Sequence, residues 1–164
     1  MTVTLILTDQ AFDAEAELRA FNMAHADAGA VASFVGRCRA SSGTTPVQAL
    51  ELDIYPGFTH STIAGKLRTL SSTPGVDGIL VVHRHGRIDV GEAIVLVAVA
   101  GPHRRAAITV MDRTMDWLKV DAPFWKKEHR TNGAHWIEPT DRDRTDAARW
   151  LEIRGPSDPD RIIS

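Results

Sequence analysis

The sequence predicts an α+β domain, and three observations carry that expectation. Two apolar runs rich in Val and Ile, "GILVVHRHG" (78–86) and "EAIVLVAVAG" (92–101), read as central strands. A long helix with one apolar face follows them, at about 102–119. Elsewhere strands and helices mix without the regular β-α-β alternation of a doubly wound sheet, so antiparallel hairpins are expected.

Taken in order, each element has a local cause. "TVTLILT" (2–8) alternates β-branched and leucine residues and reads as the first strand. "AEAELRAFNMAHAD" (14–27) is built from helix formers, with Asp13 placed to cap it. "GAVASFVGRCRA" (29–40) reads as a second strand, "SSGTTP" as a turn, and "VQALELDIYPG" (47–57) alternates again, so 29–40 and 47–57 are expected to pair as a hairpin with a long tip. Thr59 is the expected N-cap of a helix over "HSTIAGKLRTL", whose Ile63, Leu67 and Leu70 share a face. The two central strands are joined by "RIDVG". In "GPHRRAAITVMDRTMDWLKV" (101–120), Pro102 takes the first helical position, and Ala107, Val110, Met111, Met115 and Leu118 recur at helical spacing. "FWKKEHRTNGAHWIEP" (124–139) is mixed, with a turn at Asn132-Gly133 and a short strand at "HWIE". Residues 1–139 are read as one domain. Residues 140–164 are read as a charged, partly mobile tail with a helical turn through "TDAARW" and a mobile last ten residues.

Composition limits function. A chain of 164 residues fits a single domain, and 43% hydrophobic with 24% charged residues is ordinary globular usage. A net charge of -2 gives no field to attract phosphate backbones, and no nucleic-acid reading module is visible. No segment approaches the roughly 20 apolar residues that span a bilayer. One cysteine, Cys38, forms no internal disulfide and suits a reducing cytoplasm, and the N-terminus does not resemble a secretory signal. His83 and His85 share a strand face without a third ligand at regular spacing, so no metal site is expected, and His60, His129 and His135 are given no role.

Three basic clusters remain. In "LKVDAPFWKKEH", Lys119 closes the long helix and Lys126 lies beyond Pro123. Solvated lysines favoured by the helix dipole are one reading. The other is that Phe124 and Trp125 anchor the turn and hold Lys126 against a low-dielectric wall, where a lysine of depressed pKa acts as base, acid or nucleophile. In "GRCR", strand alternation puts Arg37 and Arg39 on one face, suited to an anion, and Cys38 on the other, suited to a core residue rather than a persulfide carrier. In "GPHRR", His103, Arg104 and Arg105 occupy a first helical turn where cations oppose the dipole, a local conflict that points to an anionic ligand.

Read together, "FVGRCR", "LELDIYPGFT", "VVHRHGRIDVGE", "VAVAGPHRRAA", "MDWLK" and "APFWKKE" resemble the large, catalytic subunit of molybdopterin synthase, in order from about Phe34 to Glu138. The resemblance implies an α/β-hammerhead fold. It also implies a sulfurtransferase that converts cyclic pyranopterin monophosphate to molybdopterin, using sulfur from the C-terminal Gly-Gly thiocarboxylate of a small ubiquitin-like subunit, with no metal or organic cofactor. Carried over by position, it puts Lys119 and Lys126 at the reaction centre as catalytic residues, with Arg37, Arg39, His103, Arg104 and Lys127 around the substrate and the partner's tail. Both ligands are anions, which is what the basic clusters suit. This sequence departs from many relatives at "ASSG" after Arg39 and lacks a proline in "RIDVGE".

Helix length adds a constraint. From His103 to Lys119 is about 24 Å at 1.5 Å per residue, too far for one small substrate to touch both. A homodimer with shared sites is therefore expected, the core of the heterotetramer that the resemblance implies. Two competing functions are a binding module of the same fold without turnover and a persulfide sulfurtransferase working through Cys38.

Overall fold

The computed structural model describes residues 1–152. The expectation of mobility for the last ten residues lies outside them. The chain is α+β: a four-stranded sheet with helices on both faces, joined to a second sheet.

The first sheet has the order β1-β5-β7-β2, from β1 (Thr2–Thr8), β5 (Gly78–Arg84), β7 (Ala93–Gly101) and β2 (Ala30–Arg37). β1 runs parallel to β5, while β5/β7 and β7/β2 are antiparallel. The two apolar runs are therefore the buried centre, as expected. A period of two explains why they are apolar throughout. Ile79, Val81, Val95, Val97 and Val99 pack with Ile63 and Leu67 of α2 (Pro56–Ser71) and Ala107 and Val110 of α3 (Arg104–Val120). Leu80, Val82, Leu96 and Ala98 face the other way, onto Phe21 of α1 (Ala14–Ala24). Each fully buried Val or Leu contributes about 1.5–3 kcal/mol. Asp13 caps α1 as expected, accepting from the Glu15 and Ala16 amides at 2.9 and 3.1 Å.

The second sheet is centred on β4 (Thr45–Asp53), which pairs on one edge with β6 (Gly86–Asp89) and on the other with β8 (Trp125–Arg130), itself paired with β9 (Gly133–Ile137). Gly133, at φ 118, closes the β8-β9 turn at the Asn-Gly signal. The joiner "RIDVG" thus contains most of a strand that the sequence did not suggest.

Several local expectations need correction. Residues 29–40 and 47–57 do not form one hairpin: β2 pairs with β7, and only the two-residue β3 (Ser41–Ser42) pairs with β4. The ladder breaks at Gly36/Arg37, where a side chain at Gly36 would sit 2.9 Å from a Val95 methyl. Cys38 is then tied by backbone hydrogen bonds to Glu92 and Gly91, which turns the chain toward the second sheet. Thr59 is not an N-cap. α2 starts at Pro56 with Tyr55 as cap, and the buried Thr59 hydroxyl donates to the Pro123 carbonyl at 3.2 Å. Pro102 lies before α3, whose cap is His103. After Thr140 the chain forms more than one helical turn: α4 (Asp141–Glu152) packs along α3. No helix among the described residues is long and apolar enough to cross a membrane.

Candidate active site

A cavity of about 570 Å³ opens where the two sheets meet the end of α3. Arg37 and Arg39 line it at and just beyond the end of β2, the Arg37 guanidinium donating to the Gly91 carbonyl at 3.1 Å, with His83 from β5, Lys119 from the last turn of α3, and Lys126 and Glu128 from β8. Its apolar wall includes Phe34, Met115 and Leu118. Arg37 and Arg39 do meet in one place, although β2 ends at Arg37 and the expected strand alternation does not extend to Arg39.

The turn between the lysines works largely as its sequence suggests. Phe124 stacks on the His83 ring with centroids 4.2 Å apart. Trp125 is no inner anchor: it stays 43% exposed, edge-on to Tyr55. Lys126 Nζ donates to the Lys119 carbonyl at 3.4 Å. Burial, reinforced by the positive charge of Lys119 and only partly offset by Asp143, pulls the Lys126 ammonium below its ordinary pKa. Lys119 is held differently, its Nζ 2.6 Å from an Asp143 carboxylate oxygen of α4.

His83 is pushed down to about 4 by burial, and the fields of Lys126 and His85 add to this against the opposing hydrogen bond to Arg84. It is neutral at neutral pH. Its Nδ1–H donates to the Arg84 carbonyl at 2.8 Å, which leaves Nε2 an acceptor. Cys38 is buried beside Leu52 and Ile88, and burial raises its thiol pKa against a hydrogen bond to Leu50, while Asp89, Glu128 and Glu92 raise it further. It is a poor thiolate.

The other sequence-selected residues lie elsewhere on the chain. Lys127 alternates to the opposite face of β8, where it pairs with Asp53 at 3.0 Å and sits over Trp136 at 4.3 Å. His103 and Arg104 begin α3, which runs unbroken to Val120, so one helix separates them from Lys119. Three residues in or beside the cavity were given no place in the site by the sequence: His83, weighed only as a metal ligand, Glu128 and Asp143. His83 shares the parity of Ile79 and Val81, a signal that pointed it toward the α3 face. Glu128 carries no motif. Asp143 was hidden in the tail, although "TDRD" has the Thr-x-x-acid form of a helix start, and Thr140 and Asp143 do cap each other's amides at 3.2 and 2.9 Å.

A family model described as MoaE protein matches residues 7–121. A molybdopterin synthase catalytic subunit of Caulobacter vibrioides is 49% identical over 150 residues, covering 92% of this chain and 97% of the relative. One of Mesorhizobium japonicum is 44% identical, covering 90% and 92%. Among solved structures, a molybdopterin biosynthesis MoaE protein of Burkholderia ambifaria superposes with a TM-score of 0.74 at 35% identity, covering 91% of this chain and 98% of that one. A molybdopterin synthase of Staphylococcus aureus gives a TM-score of 0.72 at 26% identity, covering 80% and 95%. With sequence and fold matched over nearly the whole length of these relatives, and with the family model spanning both central strands and the helix that carries Lys119, the chain belongs to the MoaE protein family.

Proposed function

We propose that this chain is the catalytic subunit of a molybdopterin synthase, a cytoplasmic sulfurtransferase. It would move sulfur from the thiocarboxylated Gly-Gly end of a small ubiquitin-like subunit to cyclic pyranopterin monophosphate, forming the dithiolene. The observation that carries this reading is the gathering of Arg37, Arg39, Lys119 and Lys126 around one cavity of small-molecule size. The curated names of the relatives at 49% and 44% identity point the same way.

The chemistry follows from charge. A cyclic phosphate and a thiocarboxylate are both anions, and fixed cations in a partly desolvated site stabilise them and the charge that builds during transfer. Arg37 and Arg39 hold anionic groups. Lys126, with its depressed pKa, pairs with the thiocarboxylate or gives up its proton at modest cost, while Lys119 stabilises charge as sulfur attacks the pterin side chain. The partner supplies the sulfur, so a catalytic cysteine is unnecessary. In the proposed homodimer, His103 and Arg104 of a second copy complete each site and two small subunits flank the pair. Lys127, committed to Asp53 and Glu51, would serve the partner's docking surface rather than the pterin.

The test is reconstitution. Purified chain, thiocarboxylated small subunit and cyclic pyranopterin monophosphate should yield dithiolene product, and Cys38→Ser should yield as much. Substrate binding without product, given a competent partner, would favour the binding-module reading; loss of product in Cys38→Ser alone would favour a persulfide route.

A further inference from the structure

Lys119 is an exposed cation of the cavity that is nonetheless held in place. Lys119 sits on a flexible four-carbon stem with its side chain 56% exposed, and such an ammonium samples many rotamers unless something fixes it. Asp143 does so at 2.6 Å, and its own side chain is only 12% exposed. Asp143 is in turn fixed, because its second oxygen accepts from the Thr140 amide at 2.9 Å and the Thr140 hydroxyl at 2.7 Å. The chain of constraint runs from Thr140 through Asp143 to Lys119.

Helix α4 delivers that carboxylate, and polar contacts tie it to α3. Asp112, Asp116 and Lys119 lie along one stripe of α3, at i, i+4 and i+7. Arg149 bridges Asp112 and Asp116 at 2.8 and 2.7 Å, and the Trp150 indole donates to Asp116 at 2.7 Å. Asp143 meets Lys119 one helix end away, so α4 runs antiparallel to α3, and these named contacts are ion pairs or hydrogen bonds. A stripe ending on Lys119 gives this docking a place in the site.

We propose that Asp143 is a positioning residue for sulfur transfer: docked α4 aims the Lys119 ammonium at the cavity, and residues 140–152 belong to the active site rather than to a tail. Asp143 engages one of the three N–H donors of the ammonium, which leaves the others for an incoming anion. Its carboxylate, which is not among the residues lining the cavity, also balances part of the charge that Lys119 and Lys126 place near each other. This inference rests on the functional reading above.

The reconstituted complex tests it. Asp143→Asn should lower the single-turnover rate about tenfold, since a catalytic group released from its orientation loses at least that much. The apparent KM for the pterin should stay within twofold, and Asp143→Glu should recover much of the rate. In parallel, the Lys119 ε-methylene resonances should show restricted motion in the unmodified chain and in Asp143→Glu, and free motion in Asp143→Asn. If Asp143 variants fail to fold, Thr140→Val decides: it keeps the carboxylate, removes the hydroxyl that fixes it, and should slow turnover two- to threefold. Asp143→Asn at full rate, or Lys119 equally mobile with and without the carboxylate, overturns the proposal. An unmodified complex that makes no product while Lys119 is still ordered by Asp143 would count against the functional reading instead.

Discussion

At Lys126 stability and function pull in opposite directions. Its ammonium is held below the ordinary lysine value of 10.5 by burial and by Lys119. Between the depressed value and 10.5 the unfolded chain binds more protons than the folded one, so stability rises with pH through that window. Below it, the cost of the buried charge is present in full. Lys126→Met should therefore melt about 2 °C higher than the natural chain at pH 7, with the difference shrinking at alkaline pH. Thermal melts at pH 7 and pH 10 check this, and a lower melting point at pH 7 would mean that the ammonium is stabilising where it sits. At this scale the sequence was informative where local rules conflict. Lysines beside aromatics, and arginines spaced at the end of a strand, marked the cavity. His83 was not legible as a cavity residue, because its neutrality comes from burial under Phe124, a contact across 41 residues of chain.

Among the elements, the central strands and α3 could be read because each carries its own periodicity. The β2 partner could not: pairing is decided by register against β7 and by the Cys38 ties to Gly91 and Glu92, none of which is local. α4 was read too short for a related reason. Its composition is mostly charged, and its support comes from α3 through Arg149, Trp150 and Asp143. That makes its docking sensitive to pH and salt. Asp143 would be raised by its burial, but Lys119 and the two hydrogen bonds from Thr140 outweigh this and hold it down to about 2, from 3.8. The stabilisation it gives is fully present above pH 3.8 and is lost as pH falls through about 2. Hydrogen exchange should show α4 amides losing protection between pH 4 and 2, and at neutral pH in about 1 M salt, while β5 and β7 stay protected. Unchanged α4 protection would mean that its apolar contacts suffice.

The whole molecule divides its work between a sheet buried on both faces, which supplies rigidity, and a second sheet whose β4, β8 and β9 residues line the cavity. α3 joins the two roles, one end at the cavity and the other bearing His103 and Arg104 about 24 Å away. If a second copy brings those residues to each site, Lys119→Ala and Arg104→Ala chains, each inactive alone, should on mixing recover about one quarter of the natural activity, because half the dimers are mixed and each has one intact site. No recovery after confirmed subunit exchange would assign each site to a single chain. The central claim, that the paired lysines carry sulfur transfer, is tested most directly by single-turnover product formation with Lys119→Ala and Lys126→Ala in the reconstituted complex. Each should form dithiolene at least about a hundredfold more slowly while keeping its fold by circular dichroism. Product formation at the natural rate by both variants would contradict the account.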